Sequence, residues 1–127
     1  MKPTQFKDFN LNNSILSTLS QEGYTSPTEI QVAAIPLLLG GKNLLATAQT
    51  GTGKTAAFSL PILHMLNTRN PHCKNCNRAL ILTPTRELAL LIDKSFRTYG
   101  RQLSLRTTVI VGGVSSKPQI KALKKYG

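Results

Sequence analysis

Three short apolar runs dominate this sequence: NLLATA (43–48), RALILTP (78–84) and LRTTVIVGG (105–113). Each gives way to a glycine- or proline-bearing turn, and each turn is followed by a stretch with helical spacing. Apolar runs of this length read as strands buried on both faces. Strand, helix, strand, helix, strand, helix is the pattern of a parallel sheet covered by helices, an α/β fold. Two further helices precede the first run. Leu11, Ile15, Leu16 and Leu19 fall on one helical face, and Gly23 ends it. In SPTE (26–29), Ser26 is the expected N-cap, Pro27 the first helical residue and Glu29 the returning acid of a capping box. Pro36 and Pro61 are expected to kink their helices, and Gly40-Gly41 to end the second. The three loops at 49–53, 84–86 and 112–113 all follow a strand, so all three belong on one edge of the sheet, where such folds bind ligands.

At 127 residues and 40% hydrophobic the chain is one globular domain rather than a disordered tail. No apolar run reaches the ~18 residues of a membrane span, and the N-terminus carries no apolar stretch like that of a signal peptide. The expected compartment is the cytoplasm. The charge is +11, from 16 basic and 5 acidic residues. From Lys94 to the end every charged side chain is basic. Such a field suits a polyanion such as nucleic acid, although a solvated basic surface has the same composition.

The first loop is the most specific feature. AQTGTGKT runs from Ala48 through Gln49, Thr50, Gly51, Thr52 and Gly53 to Lys54 and Thr55. A strand, a glycine loop and Lys-Thr opening a helix form the context of a phosphate-binding P-loop. Glycines let backbone N–H groups converge on phosphate at the positive end of the helix. Lys54 reaches the β- and γ-phosphates in this reading, and the Thr55 hydroxyl holds Mg²⁺. Ala48 stands where the common pattern has glycine, at the strand end, where its methyl is tolerable.

PTREL (84–88), taken with AQTGTGKT and with GYTSPTEIQ (23–31), resembles the N-terminal part of the DEAD-box ATP-dependent RNA helicases. The resemblance covers essentially the whole chain. It implies a P-loop NTPase, RecA-like three-layer αβα domain with a parallel sheet, here cut on its C-terminal side. The Q-motif segment would span 4–32, and a second RecA-like domain is absent. It also implies that ATP is the nucleotide. Gln31 would read the adenine edge, and an aromatic 17 residues before the motif glycine would stack on the base. That residue is Phe6, with Phe9 the competitor if the register slips. Pro84, Thr85 and Arg86 resemble motif Ia, and Gly112-Gly113 the paired-glycine motif. In the family both touch the sugar-phosphate backbone of single-stranded RNA. Arg86 has two readings, a phosphate ligand or a lock on the loop through an acid outside these residues, and a mixed role is the expectation.

There are departures. Leu91 lies where many members have glutamine, and a core-facing leucine is the better reading. The Asp-Glu-Ala-Asp and Ser-Ala-Thr motifs are missing from these residues, so the 127-residue chain is expected not to turn over ATP. A catalytically inert RNA- or nucleotide-binding module is the alternative. In NPHCKNCN (70–77), Cys73 and Cys76 have metal-ligand spacing, and with His64 and His72 they would complete a zinc set; an exposed loop is the expectation.

Overall fold

In the computed structural model, which describes residues 2–69 and 76–126, local hydrogen bonding decides where the helices lie. One 3-10 turn, Phe6–Phe9, is followed by α1 (Asn13–Gln21), α2 (Glu29–Leu39), α3 (Lys54–Thr68), α4 (Arg86–Tyr99) and α5 (Ser116–Tyr126). The Asn12 side chain caps α1 by accepting from Ser14 N at 2.8 Å. The Thr85 hydroxyl caps α4 by accepting from Leu88 N at 3.2 Å. Both proline-bearing helices run through Pro36 and Pro61 without ending.

The start of α2 differs from the expectation. Thr28, not Ser26, is the N-cap, and Gln31 rather than Glu29 is the returning partner. Gln31 Oε1 accepts from Thr28 N at 3.0 Å. Two hydroxyl residues flank Pro27, and the one three residues before Gln31 wins because that spacing closes the reciprocal cap.

The core is built by the N-terminal turn, the link that follows it and α1–α4. Phe6, Phe9, Leu11, Ile15, Leu19, Ile35, Ala56, Leu60, Leu63, Ile92 and Phe96 are buried together. α3 lies at its centre, packed on α2 and α4, and Leu60 and Leu63 are almost completely enclosed. The same α3 carries the glycine loop at its N-terminus, so burial of its apolar face fixes the direction in which the loop points.

The sheet is the main departure. Residues 43–48, 78–84 and 105–111 are not paired into strands, and no strand is assigned among the described residues. Leu45 is 95% exposed, and Leu80 and Leu82 are 82% and 84% exposed. Over 105–111 burial alternates, with Leu105, Thr107, Val109 and Val111 half-buried and Arg106, Thr108 and Ile110 exposed. That is the two-residue period of a strand without its ladder. The physical reason is that helix bonds close within four residues, whereas a ladder needs a second segment alongside. Leu91 is also corrected. It is 62% exposed, because α4 turns Ile92 and Phe96 into the core and the preceding position, ~100° round the helix, faces out.

Candidate functional site

Gly53 ends the glycine loop and caps α3 with φ +86° and ψ 23°. Gly51 also has positive φ, +83°. The two differ in their surroundings. A Cβ on Gly51 would meet nothing within 4 Å, so the space before the loop is open. A Cβ on Gly53 would lie 2.4 Å from Gln31 Nε2 and 3.0 Å from Thr28 Oγ1. Gln31 occupies that space because its Nε2 donates to Gly53 O at 3.1 Å. The side chain is only 5% exposed and spans two elements, holding Thr28 N with its oxygen and Gly53 O with its nitrogen. The start of α2 and the glycine loop are therefore one hydrogen-bonded unit.

Within the loop, the Thr52 hydroxyl donates to Gln49 O at 2.7 Å. Lys54 Nζ donates to Ala48 O at 2.5 Å and so lies across the loop, anchored to the end of the preceding extended segment. The ammonium has two more N–H groups, and its side chain is exposed. Thr55 follows in the first turn of α3, half-buried. Its hydroxyl has no hydrogen-bond partner among the described residues. Thr50 is exposed.

Phe6 is 4% exposed, in the core, with its ring centroid 6.1 Å from that of Phe9 and the planes tilted by 57°. The turn that carries both rings is tied by Asp8, whose Oδ2 accepts from Gln5 N at 2.9 Å and Thr4 N at 3.0 Å. Those backbone N–H groups hold the Asp8 carboxyl below the ordinary aspartate range. The N-cap of α1 is attached to α3 through His64, whose Nδ1 accepts from Asn12 N at 3.0 Å. Burial lowers the pKa of this imidazole. The zinc set therefore loses one nitrogen of His64 to a backbone bond. His72 and Cys73 lie outside the described residues, and no group of three or more potential metal-ligating side chains occurs among the described ones.

The second group of loops is also joined. Pro84, Thr85, Arg86, Gly112 and Gly113 are all exposed. Arg86 Nη2 donates to Gly112 O. Gly113, with φ +78°, lets the guanidinium approach, since a Cβ there would meet Arg86 Nη2 at 2.3 Å. The bond holds the paired glycines through a backbone carbonyl, not through the acid that the lock reading of Arg86 expects. The Thr85 hydroxyl uses its oxygen for the α4 cap and keeps its hydrogen. Among the described residues no hydrogen bond joins this group to the glycine loop.

Three other contacts have no signal in the sequence. Gln119 bonds both backbone groups of Val111. Arg101 reaches Glu22 at 2.5 Å and Gln21 at 2.6 Å, fastening the turn after α4 to the end of α1. Tyr24 lies edge-on to Tyr99 at 6.1 Å, and burial with this neighbour raises the Tyr99 pKa to about 12. All three link residues that no local pattern relates.

A glycine loop heading a buried helix, with a glutamine bracing it from behind, defines a P-loop domain. A DEAD/DEAH box helicase family model matches residues 28–127, and the chain belongs to that family. It is 40% identical over 122 residues to the ATP-dependent RNA helicase CshA of Limosilactobacillus reuteri, covering 96% of this chain and 24% of that protein. It is 44% identical over 124 residues to the DEAD-box ATP-dependent RNA helicase RhpA of Helicobacter pylori, covering 98% and 24%. The fold matches a crystal structure of a DEAD box protein from Methanococcus jannaschii with a TM-score of 0.86 at 36% identity, over 100% of this chain and 34% of that one. It matches the RNA helicase Prp28 of Chaetomium thermophilum, bound to ADP, at 0.85 and 38% identity, over 96% and 30%. The chain thus spans about a quarter of the length of these curated relatives. Among the described residues no helix is long and apolar enough to cross a membrane.

Proposed function

We propose that this chain is the ATP- and RNA-backbone-binding part of an ATP-dependent RNA helicase. The observation that carries the reading is the Gln31–Gly53 bond. It sets a base-reading amide directly behind the phosphate loop. After its two bonds, Gln31 keeps one N–H and one oxygen lone pair. Adenine offers an acceptor at N7 beside a donor at N6, which match that remaining pair; guanine offers two acceptors, N7 and O6, and leaves one unmatched. The phosphates take the open space before Gly51, with Lys54 leaving Ala48 O for the β- and γ-oxygens. The unpartnered Thr55 hydroxyl, one residue after Lys54, fits a Mg²⁺ ligand, and the ion would neutralise phosphate charge there. Phe6 would stack on the base after its ring leaves the core, where it is 4% exposed beside Phe9.

RNA phosphates bind at the Thr85 hydroxyl, the N-terminus of α4 and the Gly112-Gly113 loop. Such contacts carry no sequence information. The extended segments at 43–48, 78–84 and 105–111 are proposed as strands of a parallel sheet, formed when further strands lie beside them. Their bare leucines and the two-residue burial period of the third favour this.

ATP binding to the chain, measured with GTP and with Lys54→Ala as controls, tests the reading. Binding that prefers ATP and is lost with Lys54 is expected. Equal affinity for GTP would remove the role of Gln31, and binding that ignores Lys54 would remove that of the loop.

A further inference from the structure

Gln119 makes three hydrogen bonds with one carboxamide. Its Oε1 accepts from Val111 N at 2.8 Å, and its Nε2 donates to Val111 O at 3.3 Å and to Ser115 O at 3.1 Å. Val111 is the last residue before Gly112-Gly113, and Ser115 is the last before α5. The N–H and C=O of Val111 are the pair that an extended residue offers to a neighbouring strand. A carboxamide carries the same donor and acceptor as a peptide unit, so Gln119 takes the place of a strand partner at this residue. Pairing beyond Val111 is thereby blocked, and the loop begins at Gly112. From the other side Arg86 holds Gly112 O. The paired glycines are thus clamped between α4 and α5, and they have no side chains of their own with which to hold a shape.

We infer that Gln119 is a positioning residue for RNA. By occupying both backbone groups of Val111 it sets the Gly112-Gly113 loop in the conformation that receives a phosphate. The inference rests on the RNA reading proposed above. Only an amide satisfies the geometry, because a carboxylate accepts from Val111 N but cannot donate to the two carbonyls, and a leucine does neither. Gln119 is half-buried and lies on the face of α5 turned to the loop, while Lys117, Lys121 and Lys124 are exposed.

The test compares the wild-type chain with Gln119→Leu and the isosteric Gln119→Glu. Three quantities are measured: affinity for a fluorescein-labelled single-stranded uridine 12-mer by anisotropy, affinity for a fluorescent ATP analogue, and the thermal midpoint. Gln119→Leu is expected to weaken RNA binding by about tenfold, as the loss of one or two loop-ordering bonds implies. Gln119→Glu should fall between that and wild type, and ATP affinity should stay within about twofold in both. RNA affinity unchanged in both variants would overturn the inference. So would parallel loss of RNA and ATP affinity with a lowered midpoint, which would make Gln119 a support of the fold alone. If the wild-type chain itself binds no RNA, the RNA reading fails and the inference falls with it.

Discussion

Gly51→Ala and Gly53→Ala impose nearly the same backbone strain in very different surroundings, with φ of +83° and +86°. An alanine held in the left-handed region costs about 1–2 kcal/mol, and Gly51→Ala, with no neighbour within 4 Å, should lose only that. Gly53→Ala adds a methyl 2.4 Å from Gln31 Nε2 and 3.0 Å from Thr28 Oγ1. The Gln31 amide must yield, which breaks the Gln31–Gly53 bond and adds about 1 kcal/mol, and repacking the 5%-exposed glutamine adds about as much again. Gly53→Ala should therefore cost about 3–4 kcal/mol in all, roughly 2 kcal/mol more than Gly51→Ala. Urea unfolding of the two variants gives that difference from the midpoints at a common slope. ATP and GTP affinities give the second readout. Gly53→Ala should lose preference for ATP along with stability, because the displaced amide is the one that would read adenine. Equal stability losses in the two variants, or full ATP preference in Gly53→Ala, would refute the reasoning.

Other outcomes follow from the same contacts. The pKa of His64 is lowered by burial, so the unfolded chain takes up the proton first as pH falls below about 6.5. Stability is complete above that pH and declines beneath it, as the proton also removes the acceptor for Asn12 N. Thermal midpoints at pH 7.5 and 5.0 should fall further for wild type than for His64→Gln, and equal falls would dismiss the contact. Asp8 acts in a lower window, losing its contribution as pH drops below about 3.8. The Ser59 hydroxyl is buried in α3 with no partner among the described residues, so Ser59→Ala should stabilise the chain by about 1 kcal/mol in urea unfolding; destabilisation would mean that the hydroxyl is bonded. The chain should release no phosphate from ATP above the level of Lys54→Ala. Asp93 and Glu22 are paired with Arg97 and Arg101, Asp8 holds the N-terminal turn, and Glu29 and Glu87 lie in first helical turns. Lys54-dependent release would show that one of them serves the nucleotide.

The helices were legible because their causes are local. Thr85 and Arg86 announce α4, and glycine follows where α1, α2 and α4 end. The α2 cap was misplaced by two residues because Ser26 and Thr28 both have an acid or amide three positions on, and the competition is settled by Gln31 bending back. The three extended segments were legible only as apolar runs. A ladder is a relation between segments, and Leu80 or Leu82 says nothing about what lies beside it. The same holds within the site. The glycine loop declares itself in eight consecutive letters. The Gln31–Gly53 contact spans 22 residues, and Arg86–Gly112 spans 26. Gln119 is one more polar residue on an amphipathic helix until Val111 is seen opposite. Phe6 was placed by counting from Gly23, and counting cannot tell a ring in the core from a ring on a ligand.

The adenine-reading role proposed for Gln31, added to its bond to Gly53, bears on how such a domain could change its nucleotide over evolutionary time. Replacing the side chain to admit another base would at once leave Gly53 O without its donor and open space behind the phosphate loop. A lineage drifting toward GTP would pass through forms with a loosened grip on every triphosphate. Compensation would have to arise at Thr28 or Gly53 in the same step, so a single substitution gives selection no graded path away from adenine.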